Sequence, residues 1–406
     1  MAHEINKPTK AGSAYDWIDH SLRSIHKAQW YRQETTFDGA PGATITQAGR
    51  SLLNFASNDY LGLAADPRVR QAAIAAIEAH GTGSTGSRLL SGHRPIHRQL
   101  EQAIAELKQT EDAIVFSSGY LANLGTLAAI VGNRDLVLGD RYNHSCLRLG
   151  VAAAGATLMD YDHADPIDLA CLLDRHRGNF RRLVIATDSV FSMDGDLCPL
   201  PQILELAEYY DGMVLVDEAH GTGVMGDRGA GCVEYLGCGD RELIQMGTLS
   251  KALGSLGGYV AGSARLVDFL RNRAPSWIYT TALSPADTGA ALAAIAIVRS
   301  EPERRAKLHE NVAYVRCAIA EIAAAMPDRF RLLPSDSPIL CLEVADVATV
   351  LRDGQALYDR GIFVSAVRPP TVPSSRLRLT IMATHERSQL DRLVSALQDL
   401  AAAPVH

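Results

Sequence analysis

The sequence lacks the features of membrane, secreted and nucleic-acid-binding proteins. Its longest uncharged apolar run, Gly289–Val298, is about half of the roughly 20 residues that a helix needs to cross a bilayer. Residues 1–20 contain no apolar core of a secretory signal. Lys and Arg number 39 against 46 Asp and Glu, so the basic excess typical of nucleic-acid-binding proteins is missing. These absences predict a cytoplasmic protein that binds neither membranes nor nucleic acid.

Cysteine is scarce and unpatterned. The seven cysteines are an odd number and form no C-x-x-C pair, which favours reduced thiols over a disulfide framework. Repeats and low-complexity tracts are absent as well. The 406 residues are 47% hydrophobic and 21% charged, a composition typical of a globular protein with two or three domains.

Helical and strand patterns alternate in the first two thirds of the chain. Pro67–His80, Pro95–Lys108 and Leu200–Tyr209 have the periodicity of helices. Between the helical segments lie short apolar runs typical of buried parallel strands, which are Ala113–Phe116, Leu136–Leu138, Leu183–Ala186, Met213–Val216 and Leu243–Met246. The alternation predicts an α/β fold with a mostly parallel central sheet and helices on both faces.

The pattern changes after Pro285. An Ala-rich stretch predicts one long helix through Arg299 to Ala325. Alternating strand and helix patterns follow and predict a smaller C-terminal α+β domain, with elements at Ile339–Val344, Gln355–Arg360, Arg376–Met382 and Glu386–Ala401. We predict an N-terminal segment at residues 1–50, a large domain at 51–290 and a small domain at 291–406.

Two motifs suggest chemistry that their context opposes. Gly81–Gly86 fits the dinucleotide pattern G-x-G-x-x-G, but a helix precedes it and further turn residues follow, so we predict a loop. His93 and His97 have the spacing of a metal pair. No third ligand lies beside them and Pro95 disfavours a helix between them, so we predict a surface loop and no metal site.

Three separate segments together indicate one chemistry. In the first, the strand Leu243–Met246 leads into a Gly-, Ser- and Thr-rich loop that carries Thr248 and Lys251. A lysine with a lowered pKa can form a Schiff base with an aldehyde cofactor, and the Thr248 hydroxyl can contact a phosphate. Taken alone, Lys251 fits a solvated surface lysine equally well.

The second segment is the strand Met213–Val216, which ends at Asp217 and is followed by His220. Open α/β sheets bind ligands at the carboxyl ends of their strands. Asp217 can pair with a protonated pyridine nitrogen, and His220 can reach the ring hydroxyl. A helix N-cap or a Mg²⁺ ligand of a phosphotransferase are the alternatives for Asp217, and no P-loop supports the latter.

The third segment joins a strand to a helical run through Ser117, Ser118 and Gly119. Backbone N–H groups at such a helix start form an anion site suited to a phosphate. A lysine, a strand-end carboxylate and a phosphate cup along one sheet match the requirements of pyridoxal phosphate.

The chain resembles the α-oxoamine synthases, a family of fold-type I pyridoxal-phosphate enzymes, from about Tyr31 to Leu397. The stretches that carry the resemblance are Asn54–Gly62, Gly81–Arg88, Val190–Asp196, Val216–Gly223 and Val367–Pro373. The resemblance implies a pyridoxal-phosphate-dependent acyltransferase of fold type I that forms a homodimer with shared active sites.

The resemblance also implies roles for individual residues. Lys251 would carry the cofactor, Asp217 would pair with its ring nitrogen and His220 with its ring oxygen. His144 would stack on the ring, although a packed core histidine is otherwise the favoured interpretation. Further contacts implied with the cofactor are Gly119, Tyr120, Ser192, Thr248 and, from the neighbouring subunit, Thr280 and Thr281.

Substrate-side positions follow from the same resemblance and are Arg32, Asn58, His144, Thr371 and Arg378. Arg378 is the candidate for the amino-acid carboxylate, because a guanidinium pairs bidentately with it. The loop after Pro373 is shorter than is usual in the family, which leaves the register at Arg378 open. Cys146 stands where the family commonly has serine.

The implied reaction is the decarboxylative condensation of L-alanine with a pimeloyl thioester of coenzyme A or acyl carrier protein. Relatives that use glycine or serine are the alternative, namely 2-amino-3-ketobutyrate CoA ligase, 5-aminolevulinate synthase and serine palmitoyltransferase. A non-catalytic regulator of the same fold would need Lys251 replaced or a DNA-binding arm, and residues 1–50 are too short and not basic enough for one.

Overall fold

The computed structural model describes residues 13–28 and 30–402. Its strands are β1 (Thr44–Gln47), β2 (Arg50–Asn54), β3 (Asp112–Phe116), β4 (Leu136–Asp140), β5 (Thr157–Tyr161), β6 (Leu183–Asp188), β7 (Met213–Asp217), β8 (Ile244–Thr248), β9 (Gly258–Gly262), β10 (Arg331–Leu332), β11 (Ile339–Glu343), β12 (Ile362–Phe363), β13 (Ser365–Val367) and β14 (Arg376–Thr380). Its α-helices are α1 (Asp16–Lys27), α2 (Pro67–His80), α3 (Pro95–Lys108), α4 (Gly119–Ile130), α5 (Ser145–Ala154), α6 (Pro166–His176), α7 (Leu200–Tyr209), α8 (Cys232–Tyr235), α9 (Ala264–Arg273), α10 (Pro275–Ile278), α11 (Pro285–Ser300), α12 (Pro302–Ala325), α13 (Val347–Asp359) and α14 (Arg387–Ala402).

A seven-stranded sheet forms the centre of the molecule, in the order β3-β9-β8-β7-β6-β4-β5. All strands run parallel except β9, which pairs antiparallel with β3 and β8. The five predicted strand runs all lie in this sheet. The patterns of β5 and β9 were not predicted, because β5 is a half-buried edge strand and β9 begins and ends with glycine.

Helices cover both faces of the sheet, as predicted. One face packs against α4, α5 and α9 through side chains such as Leu127 and Val151, and the other packs against α6 and α7 through Leu173 and Ile203. With both faces covered, β3, β4, β6, β8 and β9 are buried along their whole length. Their burial on both faces explains why these strands contain continuous apolar runs rather than alternating apolar and polar residues.

Helices α2, α3 and α7 begin and end at the predicted residues. The prediction of one helix from Pro285 to Ala325 is wrong, because α11 ends at Ser300 and α12 begins at Pro302. Glu301 has φ −123° and ψ 67°, outside the helical region. Proline restricts the residue before it and offers no N–H to the preceding turn, which explains the break.

The C-terminal part contains a smaller antiparallel sheet in the order β10-β11-β14-β13, which confirms the predicted α+β region. A third sheet joins β1 and β2 to β12, so the N-terminal strands pair with the C-terminal part. Helix α11 packs against α2 and α3. The exact domain division at residues 50 and 290 stays a prediction.

The loop Gly81–Gly86 follows helix α2, not a strand, as predicted. His97 does not lie in a surface loop, however. It is buried in the first turn of α3, where Nδ1 accepts the Arg94 N–H and Nε2 lies 2.8 Å from the Leu283 carbonyl oxygen. In the part of the chain that the structure describes, no helix is both long and apolar enough to cross a membrane.

Candidate active site

The carboxyl ends of the parallel strands meet at one edge of the central sheet, and a cavity of about 190 Å³ opens there. Strands β3, β4, β6, β7 and β8 each deliver residues to it because parallel strands end at the same edge. Its lining consists of Gly119, Tyr120, Asn123, His144, Cys146, Asp188, Val190, Ser192, Asp217, Ala219, His220, Met246, Thr248 and Lys251. The structure thus brings together eight of the residues that the sequence singled out for the cofactor.

Lys251 lies in the loop after β8, with Nζ 2.8 Å from Nε2 of His220. Burial lowers the pKa of Lys251, against the opposing charges of Asp217 and Asp188. A lowered pKa increases the share of neutral amine, which is the nucleophilic form of lysine. Lys251 is half-buried, and its lowered pKa distinguishes it from a solvated surface lysine.

His220 begins a chain of polar contacts that leads away from Lys251. Its Nδ1 lies 2.7 Å from the Tyr60 hydroxyl, which donates to Oδ1 of Asn58 at 3.3 Å. Arg378 Nη2 donates to the same Oδ1 at 3.3 Å. With the Tyr60 hydrogen directed to Asn58, Nδ1 of His220 is the donor to Tyr60 and Nε2 accepts from Lys251. Burial and the Lys251 charge hold the pKa of His220 well below its usual range, so the imidazole is neutral.

Asp217 ends β7 at the base of the cavity and is 5% exposed. Its Oδ1 accepts the Ala219 N–H at 2.8 Å, and its Oδ2 accepts the Asn123 amide at 2.7 Å. Burial raises the pKa of Asp217, while Lys251 and these two donors oppose the rise. A cationic ring nitrogen in the cavity would stabilise the carboxylate further.

Asp188 ends β6 and pairs in register with Asp217 on the neighbouring strand. Both of its carboxyl oxygens accept the backbone N–H of His144 at 3.3 Å. Burial, reinforced by the Asp217 charge, raises the pKa of Asp188 well above its usual range. The two neighbouring carboxyl groups thus oppose each other's ionisation.

His144 caps the N-terminus of α5 and lines the cavity. Its Nδ1 accepts the backbone N–H of Cys146 at 3.3 Å and lies 2.9 Å from Sγ of that residue. Burial raises the pKa of Cys146 to about 12, so its thiol keeps the hydrogen that it donates to Nδ1. The Asn123 amide donates to the same sulfur at 3.1 Å. These contacts place the proton of a neutral His144 on Nε2.

The start of helix α4 forms a cradle at the other end of the cavity. Ser118 caps the helix through the Leu121 N–H, and the first N–H groups, those of Gly119 and Tyr120, have no partner within a helix. A Cβ on Gly258 would come within 2.4 Å of the Gly119 nitrogen, so glycine permits β9 to approach the helix start. The cradle is an anion site next to Thr248.

These residues fit pyridoxal phosphate. The neutral amine of Lys251 matches the aldehyde, the Asp217 carboxylate matches the ring nitrogen, and the α4 cradle matches the phosphate. Asn123 also has a buried amide oxygen without a hydrogen-bond partner among the described residues. The two carboxylates of the cavity end β6 and β7, whereas the cradle follows β3 at the start of α4.

Thr280 and Thr281 lie outside the cavity. The Thr280 hydroxyl donates to the Ser276 carbonyl at 2.6 Å, and the Thr281 carbonyl accepts from Ser117 at 3.3 Å. Thr281 also pairs with Ser87 in an isolated bridge. Their predicted contact with the phosphate of a neighbouring subunit stays a prediction.

Arg32 and Thr371 line a second cavity of about 620 Å³. Arg32 Nη2 donates to the Thr371 hydroxyl at 3.4 Å. The walls combine apolar side chains of the N-terminal segment with the loop at residues 366–371, and they include Leu22, Ile25, Trp30, Tyr31 and Met193. Met193 lines this cavity, and the preceding residue, Ser192, lines the first one.

The sequence reasoning did not identify Tyr60, Asn123 and Asp188 as site residues. The sequence pattern could have identified Asp188, since this carboxylate ends a buried parallel strand, as Asp217 does. Tyr60 lies within the stretch Asn54–Gly62, and Asn123 lies in the helical run that follows Gly119, but other residues of these stretches were the predicted site residues. The roles of Tyr60 and Asn123 depend on contacts with residues 160 and 94 positions away, which no local pattern reveals.

The fold and the site define a pyridoxal-phosphate-dependent enzyme. Residues 50–397 match the model of the family "Aminotransferase class I and II", and the chain belongs to this family. A Cyanothece sp. protein named "Putative 8-amino-7-oxononanoate synthase" is 61% identical over 94% of this chain and 96% of its own length.

Solved structures agree with this assignment. A serine palmitoyltransferase containing pyridoxal phosphate is similar with a TM-score of 0.88 and 28% identity, over 96% of this chain and 98% of that one. The 8-amino-7-oxononanoate synthase of Francisella tularensis is similar with a TM-score of 0.73 and 26% identity, over 86% of this chain and 97% of that one.

Proposed function

We propose that this enzyme condenses L-alanine with a pimeloyl thioester and forms 8-amino-7-oxononanoate, the free thiol carrier and CO₂, a step of biotin biosynthesis. The observation that carries the proposal is the activated Lys251 beside His220 and Asp217, in a chain 61% identical to a protein with that name. Pyridoxal phosphate supplies the electron sink that stabilises the carbanion of the amino acid.

In this proposal, the cavity residues divide into those that bind the ring of the cofactor and those that bind its phosphate. Lys251, Asp217, His220, His144 and Ser192 hold the ring of the cofactor. Gly119, Tyr120 and Thr248 would hold its phosphate, together with Thr280 and Thr281 of a neighbouring subunit.

Lys251 removes the Cα proton of alanine and returns a proton after CO₂ has left. Its lowered pKa supports both steps, because a general base is most effective when its pKa lies near the working pH. His220 accepts a hydrogen bond from Nζ at 2.8 Å and directs the amine. The Tyr60 hydroxyl in turn holds the imidazole from its other side.

Arg378 binds the carboxylate of the amino acid. Arg376 lies on the same face of β14 but is committed elsewhere, because it donates to Asp194, to the Met193 carbonyl and to Ser374. Arg378 donates through Nε to the Ser192 carbonyl at 2.6 Å and through Nη2 to Asn58. Arg378 thus has no ion pair to a carboxylate among the described residues, whereas Arg376 is paired with Asp194, which supports Arg378 rather than Arg376.

The cavity of about 620 Å³ accepts the acyl chain. Its apolar walls suit the methylene groups of a pimeloyl chain, and Arg32 and Thr371 supply polar contacts at one side. Met193 of this cavity follows Ser192 of the cofactor cavity in the chain, which supports a thioester bound next to the alanine site. Coenzyme A and acyl carrier protein are both compatible carriers.

We propose a homodimer, because Thr280 and Thr281 serve no cofactor site within one chain. Sedimentation velocity of the holoenzyme is expected to show a dimer at assay concentration. An active monomer would contradict this assembly and would leave the condensation proposal intact.

Serine condensation is the second candidate, favoured by the TM-score of 0.88 with a serine palmitoyltransferase. Assays should combine alanine, glycine or serine with pimeloyl-, acetyl-, succinyl- and palmitoyl-CoA and with pimeloyl-acyl carrier protein, and should follow CO₂ release and product mass. The highest kcat/KM is expected for alanine with a pimeloyl thioester. A higher kcat/KM for glycine or serine would overturn the proposal.

A further inference from the structure

His163 lies between β5 and α6, outside the lining of the cofactor cavity, and neither the motifs nor the proposed reaction involve it. Its imidazole bridges two carboxylates of different loops. Nδ1 lies 3.0 Å from Oδ1 of Asp140, and Nε2 lies 2.8 Å from Oδ2 of Asp196. The His163 side chain is 20% exposed and the Asp140 side chain is fully buried.

This geometry requires a protonated imidazole. A neutral histidine carries one N–H, whereas both nitrogens here face carboxylate oxygens and must donate. Burial by itself would lower the pKa of His163, but the hydrogen bonds and charges of Asp140 and Asp196 outweigh it and raise that pKa to about 10. The ring also stacks on the face of Tyr142 at 4.3 Å, which favours a cation, and lies 4.4 Å from the Phe191 ring at nearly a right angle.

The two carboxylates belong to the two loops that carry cofactor-side residues. Asp140 ends β4 and accepts the Asn143 N–H through its carbonyl at 3.1 Å, directly before His144. Asp196 closes the turn that contains Ser192, because its carbonyl accepts the Phe191 N–H at 3.0 Å.

Other hydrogen bonds also hold these loops. Asn143 and His144 bond to β6 at Ala186 and Asp188, and Arg378 bonds to the Ser192 carbonyl. The Asp140 carboxylate accepts the N–H groups of Tyr142 at 2.8 Å and Ala164 at 2.7 Å. Tyr142 follows Asp140 closely in the sequence, and Ala164 is the residue after His163. The second oxygen of Asp196 is buried without a hydrogen-bond partner among the described residues. His163 adds a direct ionic contact between the two loops.

We propose that His163 is a positioning residue that ties the His144 loop to the Ser192 loop and thereby sets the distance between these two side chains across the cofactor ring. The inference needs the pyridoxal-phosphate site but no particular substrate. Its failure would therefore leave the alanine condensation untouched.

Two substitutions separate the two arms of the contact. In His163→Asn the amide nitrogen lies near the position of Nδ1 and keeps the bond to Asp140, whereas in His163→Gln it reaches further, toward Asp196. His176→Asn, at the other end of α6, is the matched control. The readouts are the visible circular dichroism of bound pyridoxal phosphate and its dissociation constant, measured without substrate, together with the melting temperature of the apoprotein.

Both His163 variants are expected to bind pyridoxal phosphate about tenfold more weakly and to lose at least half of the visible circular dichroism, because one charge-assisted hydrogen bond is missing. The control should match the wild type. Asp196→Asn should reproduce the defect, and its combination with His163→Asn should add little to it.

Wild-type dichroism and affinity in both His163 variants would overturn the proposal. A lowered melting temperature with unchanged dichroism and affinity would also overturn it, since that result assigns His163 to the stability of the fold alone. Additive effects of His163→Asn and Asp196→Asn would show that the two residues act separately, and would overturn it as well.

Discussion

Individual residues of the cavity derive their reactivity from their surroundings. Burial lowers the pKa of Lys251 and that of His220, so both groups tend toward their neutral forms while they lie 2.8 Å apart. Neutral partners avoid the repulsion of two cations, and the amine keeps a lone pair. The same burial, together with the Asp217 charge, raises the pKa of Asp188 well above its usual range.

Lys251→Ala should remove the attachment point of the cofactor and the proton carrier together. We expect borohydride to fix pyridoxal phosphate to the wild-type protein but not to the variant, and turnover to fall by about three decades or more. Mass spectrometry of the reduced protein and a product assay measure these effects. Lys307→Ala, at an exposed lysine of α12 paired with Glu310, is the control. Labelling of another lysine in Lys251→Ala would contradict the assignment.

Asp217→Asn tests the charge at the base of the cavity. The amide keeps the size of the side chain but removes the anion that holds a ring nitrogen protonated. Loss of a buried ion pair costs about 3–5 kcal/mol, or about two to four decades in the rate of proton removal. Exchange of the alanine Cα hydrogen with deuterated solvent isolates this step without a thioester. Exchange at the wild-type rate would show that Asp217 has a structural role only.

The elements of the fold contribute to the site through their ends. Strands β6, β7 and β8 stop at Asp188, Asp217 and Thr248, and helices α4 and α5 start beside them at Gly119 and Ser145. Close contact between the β9 start and the α4 start depends on the missing side chain of Gly258. The shape of the anion cradle is therefore a property of two packed elements.

Gly258→Ala should distort this cradle, because the new Cβ would meet the Gly119 nitrogen at 2.4 Å. Overpacking of this kind costs about 1–3 kcal/mol, so we expect about ten- to a hundredfold weaker binding of pyridoxal phosphate. Gly178→Ala is the control, since a Cβ there meets no atom of the described residues within 4 Å. Titration of the apoprotein with the cofactor measures both variants, and equal affinities would contradict the expected clash.

Across the whole molecule, folding changes the pKa of both acidic and basic side chains. His163 is the clearest case, with its pKa raised from 6.5 to about 10 in the folded protein. The folded state keeps this proton above pH 6.5, whereas the unfolded state loses it. The stability from His163 is consequently complete below about pH 6.5 and disappears as the pH rises toward about 10.

This linkage predicts that the free energy of unfolding of the wild type falls more steeply between pH 7 and pH 10 than that of His163→Asn. The difference between the two proteins should shrink by a few kcal/mol over this range, since each pKa unit corresponds to about 1.4 kcal/mol. Urea denaturation of both proteins at several pH values measures it. Parallel pH profiles would show that His163 is not protonated selectively in the folded state.

Local patterns in the sequence determined five of the seven strands of the central sheet, the bounds of α2, α3 and α7, and the strand-end position of Asp217. These features depend on neighbours within a few residues, so periodicity and capping reveal them. The break at Pro302 was missed, although the segment 299–305 around it contains no alanine and carries the proline.

Only the tertiary structure decided how the side chains meet. Tyr60 reaches His220, Asn123 joins Asp217 to Cys146, and His163 bridges two loops. Each contact joins residues brought together by sheet order or loop packing, and a one-dimensional pattern carries no information about such distances. The protonation states follow the same rule, because burial and neighbouring charge exist only in the folded chain.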